Sequence, residues 1–209
     1  MTDQPMVITI SHLLGSGGAY LGEKLSSVLG IPFLDREILR KVAEQLNLAE
    51  GELENREEHL SSYWQTFSRV VQLSDPTRSI SADRYIPSDR ELFQLESDTI
   101  GRIAEKSSAI FIGRCGSYIL RNHPRHFSVF VYAEITARIK RLRELFHLTE
   151  SQAKDLIKTN DKEREAYVCS FSKQGWLDPR LYDLCINTTS VGLDKTVDIV
   201  LSGVRAKLF

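Results

Sequence analysis

The chain has 209 residues, 42% of them hydrophobic, and a formal net charge of -1. That length and composition fit one domain with an ordinary core. The near-zero charge supplies no basic field for nucleic acid or an anionic membrane, and no apolar run approaches the ~20 residues needed to span a bilayer. MTDQPM carries no basic segment before the first apolar run, so no signal peptide is expected. The three cysteines, Cys115, Cys169 and Cys185, are scattered, which suggests reduced thiols and a cytoplasmic location. No Cys or His pair has ligand spacing, so no protein metal site is expected.

The run MVITISHLLGSGGAYLGEKLSSVLG at residues 6–30 reads as strand, glycine turn and helix. Val7, Ile8, Thr9 and Ile10 suit a strand covered on both faces. Gly15, Gly17 and Gly18 allow the backbone angles and close approach that a phosphate requires. A helix starting near Gly18 points its free N–H groups and positive dipole end into the turn. The phosphate-loop pattern G-x-x-x-x-G-K-[ST] is incomplete here. Gly18 stands at its lysine, and Ala19 and Tyr20 follow.

Residues 30–35 predict a short strand after a glycine stop. Helical periodicity covers 36–47, and 49–72 reads as helical with an acidic start. LSDPTRSISADRYIPSD at 73–89 predicts a surface loop, and a long helix follows at about 89–106. Further strands are predicted at 109–113, 127–132 and 183–187, with helices at about 134–146, 149–174 and 193–208. Thr149-x-x-Gln152 is a capping box. Strands alternating with helices and no hairpin signal predict an α/β parallel sheet covered on both sides.

Ligands of an open parallel sheet bind beyond the carboxyl ends of its strands. Ser11, His12 and the glycine turn follow the first strand. Asp35 and Arg36 follow the second, Gly113, Arg114 and Cys115 the third, and Ala133 and Glu134 the fourth. Arginine suits bidentate phosphate contacts, and cations in a first helical turn oppose the dipole unless an anion is bound. Arg138, Arg141 and Arg143 follow the fourth strand on a helix. Lys154, Lys158 and Lys162 repeat at i, i+4 on the next, with Arg164 beyond. Two readings stay open for that face: solvated charge balanced by nearby carboxylates, or a lid closing over a transferring phosphoryl group. His12 is expected inside the loop, either donating to a phosphate or capping the strand end. His59, His123, His126 and His147 are expected at the surface or as caps, and Trp64 and Trp176 in packing. Cys115 is read as a buried thiol.

The order ITIS, GSGG, IPFLDRE, IFIGRC, FVYA, R-x-x-R, DKER and YDLCINT resembles the cytidylate kinase-like family, from about residue 7 to 201. The resemblance implies a P-loop nucleoside monophosphate kinase fold, a three-layer sandwich around five parallel strands. Its core would be 6–48 and 107–209, with a helical acceptor-binding insertion at about 49–106 and a lid at about 149–174. It implies ATP and magnesium, with CMP or dCMP as acceptor. Gly15, Ser16, Gly17 and Gly18 would hold the donor phosphates, beside His12. Asp35, Arg36 and Arg114 would surround the acceptor. Arg138 and Arg141 match the arginines after the fourth strand, and Asp161, Lys162 and Arg164 match the lid's D-x-x-R region, with Lys158 one turn earlier. The chain departs from the family at His12, Ala19 and Tyr20, where relatives carry S-R before the loop and GGRE within it.

The retained Asp35, Arg36, Arg114, Asp161 and Arg164 favour a phosphotransferase. The lost loop charges favour a nucleotide- or phosphate-binding module of the same fold. A dinucleotide-binding oxidoreductase is the third reading, because Gly15-x-Gly17 follows a strand and Asp35 lies 20 residues beyond Gly15. Its third glycine falls on Tyr20.

Overall fold

A computed structural model describes residues 4–34, 89–113, 115–173 and 175–209. The helices and loop expected within 36–88 lie outside the described residues. Strand β1 (Val7–His12) leads through a glycine turn to helix α1 (Gly18–Leu29), then to β2 (Phe33–Leu34). Next come α2 (Asp89–Lys106), β3 (Ala109–Ile112), the short α3 (Gly116–Ile119), β4 (His126–Tyr132) and α4 (Ile135–Phe146). The chain closes with α5 (Glu150–Ser172), a 3₁₀ turn (Pro179–Leu181), β5 (Leu184–Asn187), the short α6 (Thr188–Val191) and α7 (Leu193–Leu208). The α6 turn was not expected from sequence, because it starts directly after β5 and is too short to show periodicity.

The five strands are all parallel in the order β2-β3-β1-β4-β5. Val7 pairs with Ala109 on one side and with His126 on the other. The carboxyl end of β1 therefore opens between β3 and β4, where the chain direction of connection reverses and a ligand crevice forms.

Side chains alternate across each strand, which divides the core in two. Ile8, Ile10, Ile110, Ile112, Val129 and Val131 face Leu21 and Leu25 of α1 and Val200, Leu201 and Val204 of α7. Val7 and Phe111 face Ile100 and Ala104 of α2. Along β4 this opposite face carries the polar His126 and Ser128 before Phe130. His126, expected at the surface, is buried there, its Nε2 2.7 Å from the Thr9 hydroxyl. The sequence signal was misread because His126 precedes the expected strand start, yet pairs with Val7 as the strand's first residue.

Helix α5 begins with both halves of its capping box. The Thr149 hydroxyl accepts from the Gln152 N–H, and the Thr149 N–H donates to the Gln152 side chain at 2.8 Å. Thr149→Ala is expected to cost about 1 kcal/mol, a fall of about 3 °C in Tm by calorimetry. Among the described residues no helix is long and apolar enough to cross a membrane.

Candidate functional site

The turn between β1 and α1 is shaped by two glycines in the left-handed region. Gly15 has φ 78° and Gly17 φ 94°. Both positions are crowded as well. A Cβ on Gly15 would lie 3.0 Å from the Arg138 carbonyl oxygen, and one on Gly17 2.4 Å from Leu193 Cδ2. The Ser16 side chain turns inward rather than toward a ligand. It is fully buried, and its hydroxyl shares its one proton between the carbonyls of Leu13 at 2.7 Å and Val131 at 3.0 Å. Of the loop residues assigned to phosphate, Ser16 thus contributes backbone, not hydroxyl. Thr188, a residue the sequence reading did not single out, donates to the Ser16 carbonyl at 2.8 Å. Its position directly after β5 was the available clue.

Three arginines converge on this turn from α4 and α5. Arg138 Nε donates to the Leu14 carbonyl at 2.6 Å, and Arg141 Nη1 to the Gly15 carbonyl at 2.6 Å. Arg164 Nη1 donates to the His12 carbonyl. Asp161 completes the set. Its Oδ1 accepts from the Leu14 N–H at 3.2 Å, and its Oδ2 pairs with Arg138 Nη2 at 2.5 Å. Burial pushes the Asp161 carboxyl above its ordinary range, against the pull of Arg138 and the Leu14 N–H. Leu14 is itself buried among Ile139 and Leu142 of α4 and Leu156 and Ile157 of α5. The loop is therefore tied to both helices by apolar packing and by charge-assisted hydrogen bonds.

This arrangement alters the roles expected for two residues. Arg138 and Asp161, read from sequence as groups facing a phosphate and a reacting centre, are turned to each other and to the loop backbone. Arg138 is only 5% exposed. Arg141 and Arg164 are half-buried, and burial lowers the Arg141 pKa. The Arg164 guanidinium lies 5.8 Å from the ring centroid of the buried Trp176, a packing residue as expected. Lys158 and Lys162 are exposed on α5, while Lys154 pairs with Glu150 at 2.6 Å. Asp35, Arg36 and Arg114 lie outside the described residues.

His12, expected inside the loop, is the last residue of β1 and is buried. Burial, then the charges of Arg164 and Arg138, hold its pKa well below the ordinary histidine value, so the ring is neutral at pH 7. At the start of α1, Gly17 has no side-chain cap among the described residues, and the first turn carries no acidic residue. The unsatisfied N–H groups of a first helical turn and the positive end of its dipole suit an anion.

Among the described residues at this loop, the Ser16 hydroxyl is turned to backbone carbonyls and the Asp161 carboxylate to Arg138 and the Leu14 N–H, so neither is presented to a magnesium ion. Ala19 stands at the Ser/Thr position of the phosphate-loop pattern, and Tyr20 beside it donates its phenol to Asp194 on α7. No group of three or more His, Cys, Asp or Glu residues able to hold a metal occurs among the described residues. A magnesium ion at this loop would be held mainly by phosphate and water oxygens.

A cavity of about 330 Å³ lies beside the carboxyl end of β1, on the polar face of the sheet. Its lining includes Ser11, Cys115, Ser117, Ser128, Trp176 and Tyr182. Cys115 is buried, as expected, at φ 53° before α3. Burial pushes the Tyr182 phenol up to about 12, so it stays a neutral donor, bonded to the Trp176 carbonyl at 2.9 Å.

The cytidylate kinase-like family model matches residues 7–190. No match is found among curated proteins. Among solved structures, an uncharacterized protein from Eubacterium ventriosum ATCC 27560 is similar over 97% of this chain and 99% of its own, at 24% identity and TM-score 0.72. A gluconokinase from Sinorhizobium meliloti 1021 is similar over 98% of this chain and 94% of its own, at 14% identity and TM-score 0.53. These structural likenesses agree with the five-stranded parallel sheet and the P-loop kinase type of fold. With a glycine loop at the carboxyl end of β1 and a family match across most of its length, the chain belongs to the cytidylate kinase-like family.

Proposed function

We propose that the chain is an ATP-dependent phosphotransferase acting on a (d)CMP-like acceptor. The observation that carries this reading is the glycine loop before the uncapped start of α1, braced by Arg138, Arg141, Arg164 and Asp161. Phosphoryl transfer depends mainly on positioning and on neutralising charge. In this reading Arg141 and Arg164 lie next to the donor phosphates, and Lys158 and Lys162 add charge from α5. Asp35, Arg36 and Arg114 hold the acceptor, as the family resemblance implies. The cavity beside Ser11 and Cys115 supports a small acceptor, since its volume lies at the lower end of small-molecule sites.

A second reading is a nucleotide-binding module without turnover. Gly18 at the lysine position and the engagement of Tyr20 by Asp194 favour it. Calorimetric titration with ATP–magnesium and with CMP, followed by an assay for CDP, separates the two. Binding of both with CDP formed supports the phosphotransferase. Binding without CDP identifies the module. No binding of either ligand overturns both. Arg114→Ala is expected to remove CMP binding at least tenfold while ATP binding persists, and unchanged CMP affinity would reject the acceptor assignment.

A further inference from the structure

The two positions that define an ordinary phosphate loop are exchanged in this chain. In G-x-x-x-x-G-K-[ST] the first glycine leaves space at the strand end, and the lysine at the helix start extends over the phosphates. Here His12 occupies the first position and Gly18 the second. The two are in contact. A Cβ on Gly18 would lie 2.4 Å from His12 Cγ, 2.7 Å from its Cβ and 2.8 Å from its Nδ1. The imidazole therefore fills the space in which a residue-18 side chain would begin. With histidine at 12, a side chain at 18 would require the ring to move.

The ring carries a second feature. His12 is 9% exposed, and its Nδ1 is buried without a hydrogen-bond partner among the described residues. A buried polar atom normally finds a partner. This one lies 2.8 Å from the point where a Cβ on Gly18 would stand, beside the first residue of the twelve-residue α1, whose start has no side-chain cap among the described residues. We propose that His12 and Gly18 together replace the loop lysine, with the His12 imidazole donating from Nδ1 to a phosphate oxygen seated at the N-terminus of α1. The inference rests on the nucleotide-binding reading above and assigns the donor that the reading lacks. The contact is a neutral hydrogen bond to a charged oxygen, so it gives direction and less Coulombic attraction than an ammonium. The ring is held neutral by its burial and by Arg164 and Arg138 nearby.

The test uses the full chain with nitrogen-15 labelled histidine and two probes, ATP and inorganic pyrophosphate. The expected result is that either probe moves the His12 Nδ1 resonance to that of a protonated, hydrogen-bonded nitrogen. His12→Asn, whose amide reaches the Nδ1 position, is expected to bind within about threefold of the native chain. His12→Phe keeps the ring and loses the donor, and should bind about ten- to a hundredfold more weakly, as for a hydrogen bond to a charged group. Gly18→Lys alone is expected to fail in both folding and binding, whereas His12→Gly with Gly18→Lys should recover binding. ATP binding with an unmoved Nδ1 resonance, or with equal affinity in His12→Phe, overturns the inference and leaves the nucleotide reading intact. Pyrophosphate binding that depends on His12, without ATP binding, upholds the inference and rejects the nucleotide reading. Binding of neither probe rejects both.

Discussion

Replacing Arg138 with Met is expected to lower the stability of the fold by about 3 kcal/mol, read from urea denaturation at pH 8. The change removes a cation that is 5% exposed and leaves its partner Asp161 inside the protein without a counter-charge. It also frees the Leu14 carbonyl, a buried acceptor at the base of the glycine turn. The loss should depend on pH, and the sign follows from Asp161. Burial already raises this carboxyl, and Arg138 opposes that rise. Without Arg138 the folded form binds a proton more tightly than the unfolded chain, whose aspartate titrates near 3.9. Stability of the variant therefore recovers as pH falls toward that value. The deficit at pH 5 should be smaller than at pH 8. A deficit below about 1 kcal/mol at pH 8 would show that the pair does not brace the loop. The double variant Arg138→Met with Asp161→Leu should regain most of the stability, because two apolar side chains can replace a buried ion pair. It should not regain ATP binding, since the loop backbone would have lost both of its tethers at Leu14.

Acid is expected to destabilise the native chain through His126. Burial, then the charge of Lys207, holds this imidazole down to about 4, with Asp183 pulling upward and His123 adding to the depression. The unfolded residue titrates near 6.5. Between those values the unfolded chain binds more protons than the folded one, so stability falls as pH falls. The contribution is complete above about pH 6.5 and lost by about pH 4. A shift of that size corresponds to about 3 kcal/mol. Urea midpoints measured from pH 7.5 to pH 4 on the native chain and on His126→Gln isolate the effect. The glutamine amide can still bond the Thr9 hydroxyl and does not titrate. The variant should have a distinctly flatter profile, and parallel profiles would remove His126 as the source. His12 is depressed in the same direction, so part of the acid sensitivity should persist in the variant.

Several parts of the molecule were legible because their causes are local. The β-branched run at Val7–Ile10 formed the central strand. Gly15 and Gly17 took the left-handed angles that a tight turn requires. Thr149 and Gln152 capped α5 three residues apart, and the alternation of strands and helices led to a wholly parallel sheet. Each of these depends on residues within a few positions of one another, and hydrogen-bond geometry or periodicity reads directly from the order.

The partners inside the site were not legible. Arg138 and Asp161 are 23 residues apart on different helices, and only the packing of α4 on α5 around Leu14 sets them face to face. His126 looked like a surface residue until the register of β4 against β1 placed it under Thr9. Sequence alone showed that the loop lacks its lysine. Only the tertiary structure showed that the His12 ring lies where that side chain would start. Local order fixes which backbone each segment adopts. The phase of a helix and the register of a strand, set by burial across the whole fold, decide which side chains meet.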